Sequence, residues 1–523
     1  MARIETGNPF DRRTLLKLTS GAAVVGGAYM AGITTSLPAG AAGGDTGARP
    51  VRQFRALWIA SVANIDWPSK MGLTAIQQQH EYLAWLDLAK ELNMNAVISQ
   101  VRPTADSFWP SLHEPWSKYL TGTQGKNPGY DPLAFQVASA HERNLEYHAW
   151  FNPYRVSMQP DGKDLVADHP AKQHPDWVWP YGGKLYYDPG LPEVRAFVQR
   201  AMLDAVRRYD IDAVHFDDYF YPYPVGGADY PDAATYAKHG NGQPIADWRR
   251  ENINALVREM QQQVHRIKPW VKFGISPFGI WRNKASDPLG SDTRGTESYV
   301  AISADSRRWV KEGWVDYINP QIYWQIGLSV ADYAKLVPWW AEVVRGTDVA
   351  LYIGQAVYKV TSGAFTDPNE LSRHLTLNKS YPEVDGDVFF SSKDVRTDPK
   401  GAISTMVADH YQSPAIVPVI EHLGGQAPVA PNGFTVKTRG GESLLRWTSR
   451  PKSGAVSFAV WSVSGPNYAA SELEDARNLV TTLRGVAGVR QQVSVPAEAG
   501  KWFVVTAYDR LWHQSKPTAA RRG

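Results

Sequence analysis

Eight short apolar runs recur along the chain, and this repetition restricts the possible folds more than any other feature. The runs are RALWIAS (55–61), NAVISQV (95–101), LEYHAWF (145–151), DAVHFDD (212–218), VKFGIS (271–276), VDYINPQI (315–322), VALYIG (349–354) and GDVFFSS (386–392). They are almost continuously apolar rather than alternating, which is typical of strands buried on both faces of a parallel sheet.

The segments between these runs have the pattern of amphipathic helices. In EYLAWLDLAKELN, the side chains of Leu83, Leu86 and Leu92 recur among Glu and Lys residues. Eight strand–helix units predict an α/β fold, a (β/α)₈ TIM barrel with enlarged loops. A doubly wound open sheet is the alternative, but the chain lacks the glycine fingerprint of a dinucleotide site.

The last hundred residues follow a different pattern. QAPVAPNG (426–433) is a Pro/Gly-rich linker, and short alternating segments such as SLLRWTS and VSFAVWSV come after it. These predict a small all-β sandwich of fibronectin type III character, with Trp447 and Tyr508 in its core. We therefore divide the chain into a signal and linker (1–45), a barrel (50–420) and a sandwich (428–523).

The N-terminus predicts export. Arg12 and Arg13 precede a Gly/Ala-rich apolar run, and Ala39-Gly40-Ala41 offers a cleavage site, so the segment resembles a twin-arginine signal. The run 22–33 is shorter than the ~20 residues of a membrane span, which favours a secreted or cell-envelope protein without a stable span after signal removal. An uncleaved anchor is the alternative. With no cysteine in the chain, disulfides and thiolate metal sites are excluded.

Composition narrows the class of ligand. The formal charge of +3 is nearly balanced, which argues against nucleic acid as a partner. The chain has 20 Trp and 25 Tyr, and such rings either stack on the apolar faces of sugars or fill a Trp-rich core. No phosphate-binding loop is present, so we expect no cofactor. Nothing in the sequence predicts an oligomeric state.

The segment VHFDDYFYPYP (214–224) holds the main catalytic candidates. In TIM barrels the active site lies at the carboxyl ends of the strands. Because alternate residues of a strand share a face, His215 and Asp217 should point together, while Asp218 points away unless the chain has already turned. We therefore expect Asp217 to react and Asp218 to fix the turn; the alternative is that both aspartates only cap the turn.

The other strand ends supply further candidates. A mixture of amides, arginines, carboxylates and rings suits a polyhydroxylated ligand. The predicted substrate-binding residues are Asp66, Trp67, Arg102, Asp106, Asn152, Arg155, His215, Tyr219, Trp281, Asn283, Gln321, Tyr323 and Trp324. A glycosidase also needs a proton donor. No carboxylate follows the fifth run until Asp287, and our candidate acid is Glu297 in the loop beyond it; the alternatives are Asp292, Asp66, Asp106 and Asp394.

Six motifs in order resemble the glycosyl hydrolase-like 10 family: RALWIASVANIDWPS, QVRPTADSFWPS, AWFNPYR, HFDDYFYPYP, ISPFGIWRN and INPQIYWQ. The resemblance spans residues 52–415. It implies a barrel that cleaves glycan strands, with peptide-stripped peptidoglycan as one substrate. It also implies that Asp217 is the nucleophile and that His215 and Asp218 flank it. The chain departs from the related amylases in lacking an acid at the fifth strand.

Three functions are compatible with these residues. The leading hypothesis is an exported glycoside hydrolase acting on a cell-wall or extracellular glycan. The alternative is a non-catalytic glycan-binding protein that uses the same cleft. The third is a metal-dependent deacetylase, suggested by the spacing of His215 and Asp217; it is disfavoured because His169 and His174 lack the spacing of the further ligands, so we predict no metal site.

Overall fold

The computed structural model describes residues 49–497 and 500–523. The predicted export signal lies outside these residues. Within the described ranges, no helix is long and apolar enough to cross a bilayer.

Eighteen strands and fourteen α-helices make up the described fold. The strands are β1 (Phe54–Ile59), β2 (Ala96–Arg102), β3 (Glu146–Phe151), β4 (Arg155–Ser157), β5 (Val178–Tyr181), β6 (Lys184–Tyr187), β7 (Ala213–Phe216), β8 (Lys272–Ile275), β9 (Tyr317–Ile318), β10 (Ala350–Ala356), β11 (Val384–Phe390), β12 (Asn432–Arg439), β13 (Glu442–Thr448), β14 (Ser457–Val463), β15 (Leu479–Arg484), β16 (Arg490–Pro496), β17 (Trp502–Tyr508) and β18 (Arg521–Arg522). The helices are α1 (Ala75–Glu91), α2 (Lys118–Thr121), α3 (Pro132–Glu142), α4 (Pro170–Gln173), α5 (Pro192–Arg208), α6 (Ala233–His239), α7 (Ile245–Ile267), α8 (Ser298–Ala301), α9 (Ser306–Lys311), α10 (Tyr333–Val344), α11 (Tyr358–Thr361), α12 (Glu370–Asn378), α13 (Ser392–Thr397) and α14 (Ala402–His410).

Eight parallel strands close into a barrel in the order β1-β11-β10-β9-β8-β7-β3-β2. Each of the eight apolar runs forms one of these strands, and β1 pairs with both β2 and β11, so the sheet has no open edge. The predicted TIM barrel is thus confirmed, and the open doubly wound sheet is excluded by the closure.

Local sequence sets where the surrounding helices begin. Thr74 caps α1 through the backbone N–H of Gln77, and the Gln77 side chain bonds back to Thr74, which forms a capping box. Asp131 caps α3, and Pro132 occupies its first turn, where a missing N–H costs nothing. These caps leave the strand ends free to carry functional residues.

The connection from β3 to α5 contains a separate three-stranded antiparallel sheet, in the order β4-β6-β5. Strands β5 and β6 form a hairpin around Gly182 and Gly183, whose φ angles are 54° and 76°. Two successive positive φ angles suit a tight hairpin turn, and glycine adopts them without strain. The eight-run pattern did not predict this sheet, although the Gly-Gly pair is a hairpin signal.

The C-terminal residues form two sheets, β12-β13-β16 and β15-β14-β17-β18. Trp447, Phe458 and Val505 pack between them, which confirms Trp447 as a core residue. The sequence pattern did not anticipate β15 or the two-residue β18. The two-sheet arrangement agrees with the predicted all-β domain, whereas its fibronectin type III character stays a prediction.

This C-terminal domain packs against the amino ends of the barrel strands. Tyr508 and Trp512 belong to one buried apolar cluster with Phe54 of β1 and Tyr352 of β10, so Tyr508 packs toward the barrel rather than between the two sheets. The Trp512 Nε1 donates a 2.7 Å hydrogen bond to Glu146, the first residue of β3. The lower end of the barrel and the C-terminal domain therefore share a core.

Candidate active site

A cavity of about 210 Å³ opens at the carboxyl ends of the barrel strands. Its walls come from β1, β2, β3, β7, β8, β9 and β11 or from the segments that follow them. The lining residues are Trp58, Ala60, Val62, Ile65, Gln100, Trp150, Arg155, Asp217, Asp218, Tyr219, Ser276, Gln321, Tyr323 and Phe390. A small cavity with rings, amides and two carboxyl groups suits a sugar ring.

Asp217 follows directly after β7 and is held by N–H donors on both carboxyl oxygens. Trp150 Nε1 lies 3.0 Å from Oδ2, Asn152 Nδ2 lies 3.2 and 3.1 Å from the two oxygens, and the backbone N–H of Tyr219 lies 3.1 Å from Oδ1. Burial raises the pKa of Asp217 to about 6, while the charge of Arg155 opposes the rise. Asp217 is thus a buried carboxylate that is ionised at neutral pH.

Asp218 has a different set of partners. The Tyr223 hydroxyl donates a short hydrogen bond to Oδ2, and the Gln321 Nε2 donates to Oδ1 at 3.0 Å. Burial raises the pKa of Asp218, and the bonds from Tyr223 and Gln321 limit the rise. Burial thus raises the pKa of both aspartates, so the hydrogen-bond partners of their oxygens, rather than the direction of the pKa, distinguish them.

Both aspartates face the same cavity. Strand β7 ends at Phe216, so the alternation of a strand no longer applies at Asp217 and Asp218. The condition stated for Asp218 therefore applies: the chain has already turned, and Asp218 faces the cavity together with Asp217. These two are the carboxyl groups among the lining residues.

Asn152 and Arg102 support Asp217 from below. The Asn152 Oδ1 accepts the backbone N–H of Arg155 at 2.9 Å, so its Nδ2 must face the Asp217 carboxylate. Arg102 is fully buried in an ion pair with Glu114 and donates to the carbonyl oxygens of Asn152 and Pro153. Arg102 is absent from the cavity lining and instead holds the backbone that carries Asn152.

His215 lies beneath the cavity in a chain of hydrogen bonds through the barrel interior. The Trp58 Nε1 lies 3.3 Å from His215 Nε2, so that nitrogen accepts and Nδ1 carries the proton toward the Tyr317 hydroxyl at 2.9 Å. Tyr317 also contacts His148, which contacts Glu146. Burial lowers the pKa of His215 well below its usual value, so this histidine is neutral.

Four other predicted binding residues line the cavity: Arg155, Tyr219, Gln321 and Tyr323. Arg155 lies with its guanidinium carbon 5.0 Å from the centre of the Tyr219 ring. Tyr323 packs near Phe390 with nearly parallel rings. The strand-end motifs thus identified much of the wall.

Glu297 lies in a neighbouring loop and does not line the cavity. Its Oε1 accepts from the backbone N–H and the side-chain amide of Asn283, at 3.0 and 2.7 Å. Burial opposes the change, but hydrogen bonds from Ser286 and Asn283 lower the pKa of Glu297. A lowered pKa is the opposite of what a general acid needs, so this pair instead organises the loop after β8.

The remaining predicted residues are built into the scaffold. Asp66 accepts from the backbone N–H of Ala60 and from Ser391, both at 2.8 Å, and burial raises its pKa to about 6. The other scaffold contacts are Trp67 to the Gln78 carbonyl, Asp106 to Thr104, Trp281 to Asp305, and Trp324 to the Phe278 ring. The alternative acids Asp292 and Asp394 contact Lys335 and Thr361, and the neighbouring Asp287 contacts Arg282.

The sequence pattern missed Trp58 and Trp150 as parts of the wall, whereas Gln100 is one of the polar residues expected at the end of the second run. The two tryptophans lie inside apolar runs, where a core role is the simpler interpretation. Gln100 Oε1 accepts the backbone N–H groups of Ser61 and Val62 at 3.0 and 2.8 Å, and its Nε2 has no hydrogen-bond partner among the described residues. The position of Trp58 and Trp150 near the carboxyl ends of β1 and β3 was the signal available in the sequence.

Within the described ranges, no group of three or more His, Asp or Glu side chains could hold a metal ion. Both ring nitrogens of His215 already contact Tyr317 and Ser276.

Comparison with known proteins identifies the family of this chain. The model of the family described as glycosyl hydrolase-like 10 matches residues 53–371. The glycosyl hydrolase YngK of Bacillus subtilis (strain 168) is 45% identical over 478 residues, which cover 89% of this chain and 92% of that relative. The glycosyl hydrolase DigH of Escherichia coli (strain K12) is 41% identical over 378 residues, covering 68% and 86%. Among solved structures, the PgaB glycoside hydrolase domain from Bordetella bronchiseptica aligns with a TM-score of 0.44 at 13% identity, covering 68% of this chain and 99% of that chain. The resemblance of the six motifs is thereby confirmed, and the chain belongs to the glycosyl hydrolase-like 10 family.

Proposed function

We propose that the protein is an exported glycoside hydrolase that cleaves a cell-wall or extracellular glycan, with peptide-stripped peptidoglycan strands as its substrate. The observation that carries this proposal is the pair Asp217 and Asp218, which share one cavity walled by rings. Paired carboxyl groups in different environments are what glycoside hydrolysis requires.

Asp217 acts as the carboxylate of the pair, either as nucleophile or as base. The contacts to its oxygens come from N–H groups, which donate but cannot accept a proton in return. Protonation of Asp217 would therefore break at least one of these bonds. The ionised form is favoured, and it faces the positive charge that develops on the sugar in the transition state.

Asp218 acts as the proton donor to the leaving oxygen. Its Oδ2 partner is the hydroxyl of Tyr223, which can donate to the carboxylate or accept from the carboxylic acid. Asp218 can therefore gain and lose a proton without losing that contact.

The walls of the cavity supply the contacts that hold a sugar. The rings of Trp58, Trp150, Tyr323 and Phe390 offer apolar faces for a pyranose. Gln321 bonds to Asp218 and to the Ser276 carbonyl, which fixes its amide at the cavity edge.

The N-terminal sequence supports export. Arg12 and Arg13 ahead of a mildly apolar run favour the twin-arginine route, which carries folded proteins. A secreted or envelope location would bring the site to extracellular glycans.

The test is digestion of peptide-stripped peptidoglycan glycans, with products resolved by mass spectrometry. We expect fragments from the wild type and none from Asp217→Asn or Asp218→Asn. Glu297→Gln distinguishes the two candidate acids: retained cleavage supports Asp218, and lost cleavage in a folded variant supports Glu297. Retention of glycan without any fragments from the wild type would instead support the non-catalytic binding protein.

A further inference from the structure

We propose that the face of the β4–β6 sheet beside the cavity binds a carboxylate group on the glycan, and that Arg155 and Lys184 recognise it. This inference rests on the proposed glycan substrate and adds its chemical class, a sugar with a free carboxylate.

The guanidinium of Arg155 is fixed in place but has unused donors. Its side chain is about 95% buried, since only 5% is exposed. The Nε donates to the Pro103 carbonyl at 3.2 Å, and one face lies over the Tyr219 ring. In the described part of the chain, no carboxylate oxygen lies within 4.0 Å of Arg155, and its terminal nitrogens make no hydrogen bond. Four N–H groups of a buried cation are thus available to a ligand at the cavity wall.

A second cation lies on the same face of this sheet. Arg155 is paired with Tyr186 across β4 and β6. Lys184 precedes Tyr186 by two residues on β6, so both side chains share the face on which Arg155 lies. Lys184 is half-buried and, among the described residues, its ammonium group has no ion pair or hydrogen bond. Burial, followed by the charge of Arg155, lowers the pKa of Lys184, which agrees with two cations close together.

The carboxylates of the active site neutralise only part of the positive charge of Arg155 and Lys184. Asp217 and Asp218 attract Arg155 through space, but neither comes within ion-pair distance of it. With Asp217 ionised and Asp218 protonated, the cavity walls carry one negative charge and one positive charge from Arg155. Lys184, on the same face of the sheet as Arg155, then adds a positive charge that has no ion-pair partner among the described residues.

A planar carboxylate fits this arrangement better than a hydroxyl group. Two terminal nitrogens of arginine match the two oxygens of a carboxylate, and a charge-assisted pair in a buried site is strong. The ammonium group of Lys184 adds electrostatic attraction for the same carboxylate. In peptidoglycan, the lactyl group of the muramic acid residue is an amide when the stem peptide is attached and a free carboxylate when it is removed. Recognition by Arg155 would therefore select stripped strands.

The test compares two forms of the same soluble glycan fragments: peptide-stripped fragments with free lactyl carboxylates, and fragments in which these groups are converted to carboxamides. Binding is measured by titration calorimetry. We expect the wild type to bind the carboxylate form about 10- to 100-fold more tightly, as for one charge-assisted pair. Arg155→Gln should keep at most the part of the preference that Lys184 supplies, up to about fivefold. Lys184→Gln should reduce the preference by up to about fivefold, as for a partly exposed charge.

Lys172→Gln on α4 is the matched control, because it removes one exposed positive charge from the same loop and should keep the wild-type preference. Circular dichroism and the melting temperature show whether Arg155→Gln is folded; if it is not, the Lys184→Gln result decides. The inference would be overturned if the wild type bound the two forms equally or bound neither. It would also be overturned if folded Arg155→Gln kept a preference above about fivefold, or if Lys184→Gln kept the full wild-type preference. Preferential binding of the carboxylate form without any cleavage would refute only the proposed hydrolase function.

Discussion

The hydrogen bond from Trp150 to Asp217 offers the sharpest test of the proposed roles. Trp150→Phe keeps an aromatic ring in the cavity wall and removes the N–H that lies 3.0 Å from Asp217 Oδ2. A hydrogen bond to a buried charged group contributes about 1.5–3 kcal/mol, and 1.36 kcal/mol corresponds to one pKa unit. The pKa of Asp217, about 6 in the wild type, should therefore rise by ~1–2 units.

The assay is the pH dependence of kcat/KM for release of reducing ends from the glycan. If Asp217 must be ionised, activity is lost as the pH falls through its pKa, and the acid limb of the profile moves upward in the variant. At pH 6 the ionised fraction drops from about one half to about 1–9%, so kcat/KM should fall ~5- to 50-fold, while at high pH the loss from ionisation disappears.

Trp109→Phe is the matched control, because Trp109 Nε1 also donates to an aspartate, Asp204, at 2.8 Å and away from the cavity. It should lower stability and leave the acid limb in place. An unmoved acid limb in folded Trp150→Phe would refute the assignment of Asp217 as the ionised group.

Three further predictions concern other parts of the site and the barrel. Tyr223→Phe removes a hydrogen bond that lowers the pKa of Asp218, so the alkaline limb of the same profile should move to higher pH; an unmoved alkaline limb would argue against Asp218 as the acid. Glu114→Gln leaves the buried Arg102 without its counter-charge and should cost about 3–5 kcal/mol in the free energy of unfolding, measured by urea denaturation; a loss below about 1 kcal/mol would contradict the importance of this ion pair. Burial raises the pKa of Asp387 to about 7, above its unfolded value, so its contribution to stability is greatest at low pH and is lost as the pH rises toward 7. Asp387→Asn should therefore raise the melting temperature more at pH 8 than at pH 5, and an equal change at both would contradict this.

The barrel could be predicted because its strands are buried on both faces. That burial forces nearly continuous apolar runs such as 349–354, which are visible in the sequence without any partner strand. The C-terminal sheets were visible for a related reason, the alternation along segments such as 443–449. Short strands such as β4 and β6 lack this signal, because three or four residues on a loop sheet need no long apolar pattern.

The site was predictable where it depends on strand ends and unpredictable where it depends on loops. Asp217, Arg155 and Gln321 lie within about four residues of the carboxyl end of a barrel strand, so the topology of the barrel brings them together. Glu297 follows a long loop, and its hydrogen bonds to Asn283 turn it away from the cavity. Trp58 was not predicted for the opposite reason: it lines the cavity, but it lies in an apolar run, where a core residue is the simpler interpretation.

The tryptophan side chains have two different roles, in the core and in the wall of the cavity. Six tryptophans, among them Trp309 and Trp340, are fully buried and donate their N–H groups mainly to neighbouring side chains or carbonyls. Trp58 and Trp150 are the ones that line the cavity. Counting rings could not separate these uses, because both the core and a sugar cleft favour amphipathic rings.

The hydrogen bond from Trp512 to Glu146 links the C-terminal domain to the base of the barrel. Glu146 also accepts from Lys272 and His148, so one carboxylate closes the lower end of the barrel and anchors the terminal domain. The barrel and the C-terminal domain each have a core of their own, and a third apolar cluster is shared between them. The C-terminal residues are synthesised last, so the base of the barrel is covered only when the end of the chain is present. A chain that ended before Tyr508 would leave Phe54 and Tyr352 without these apolar partners.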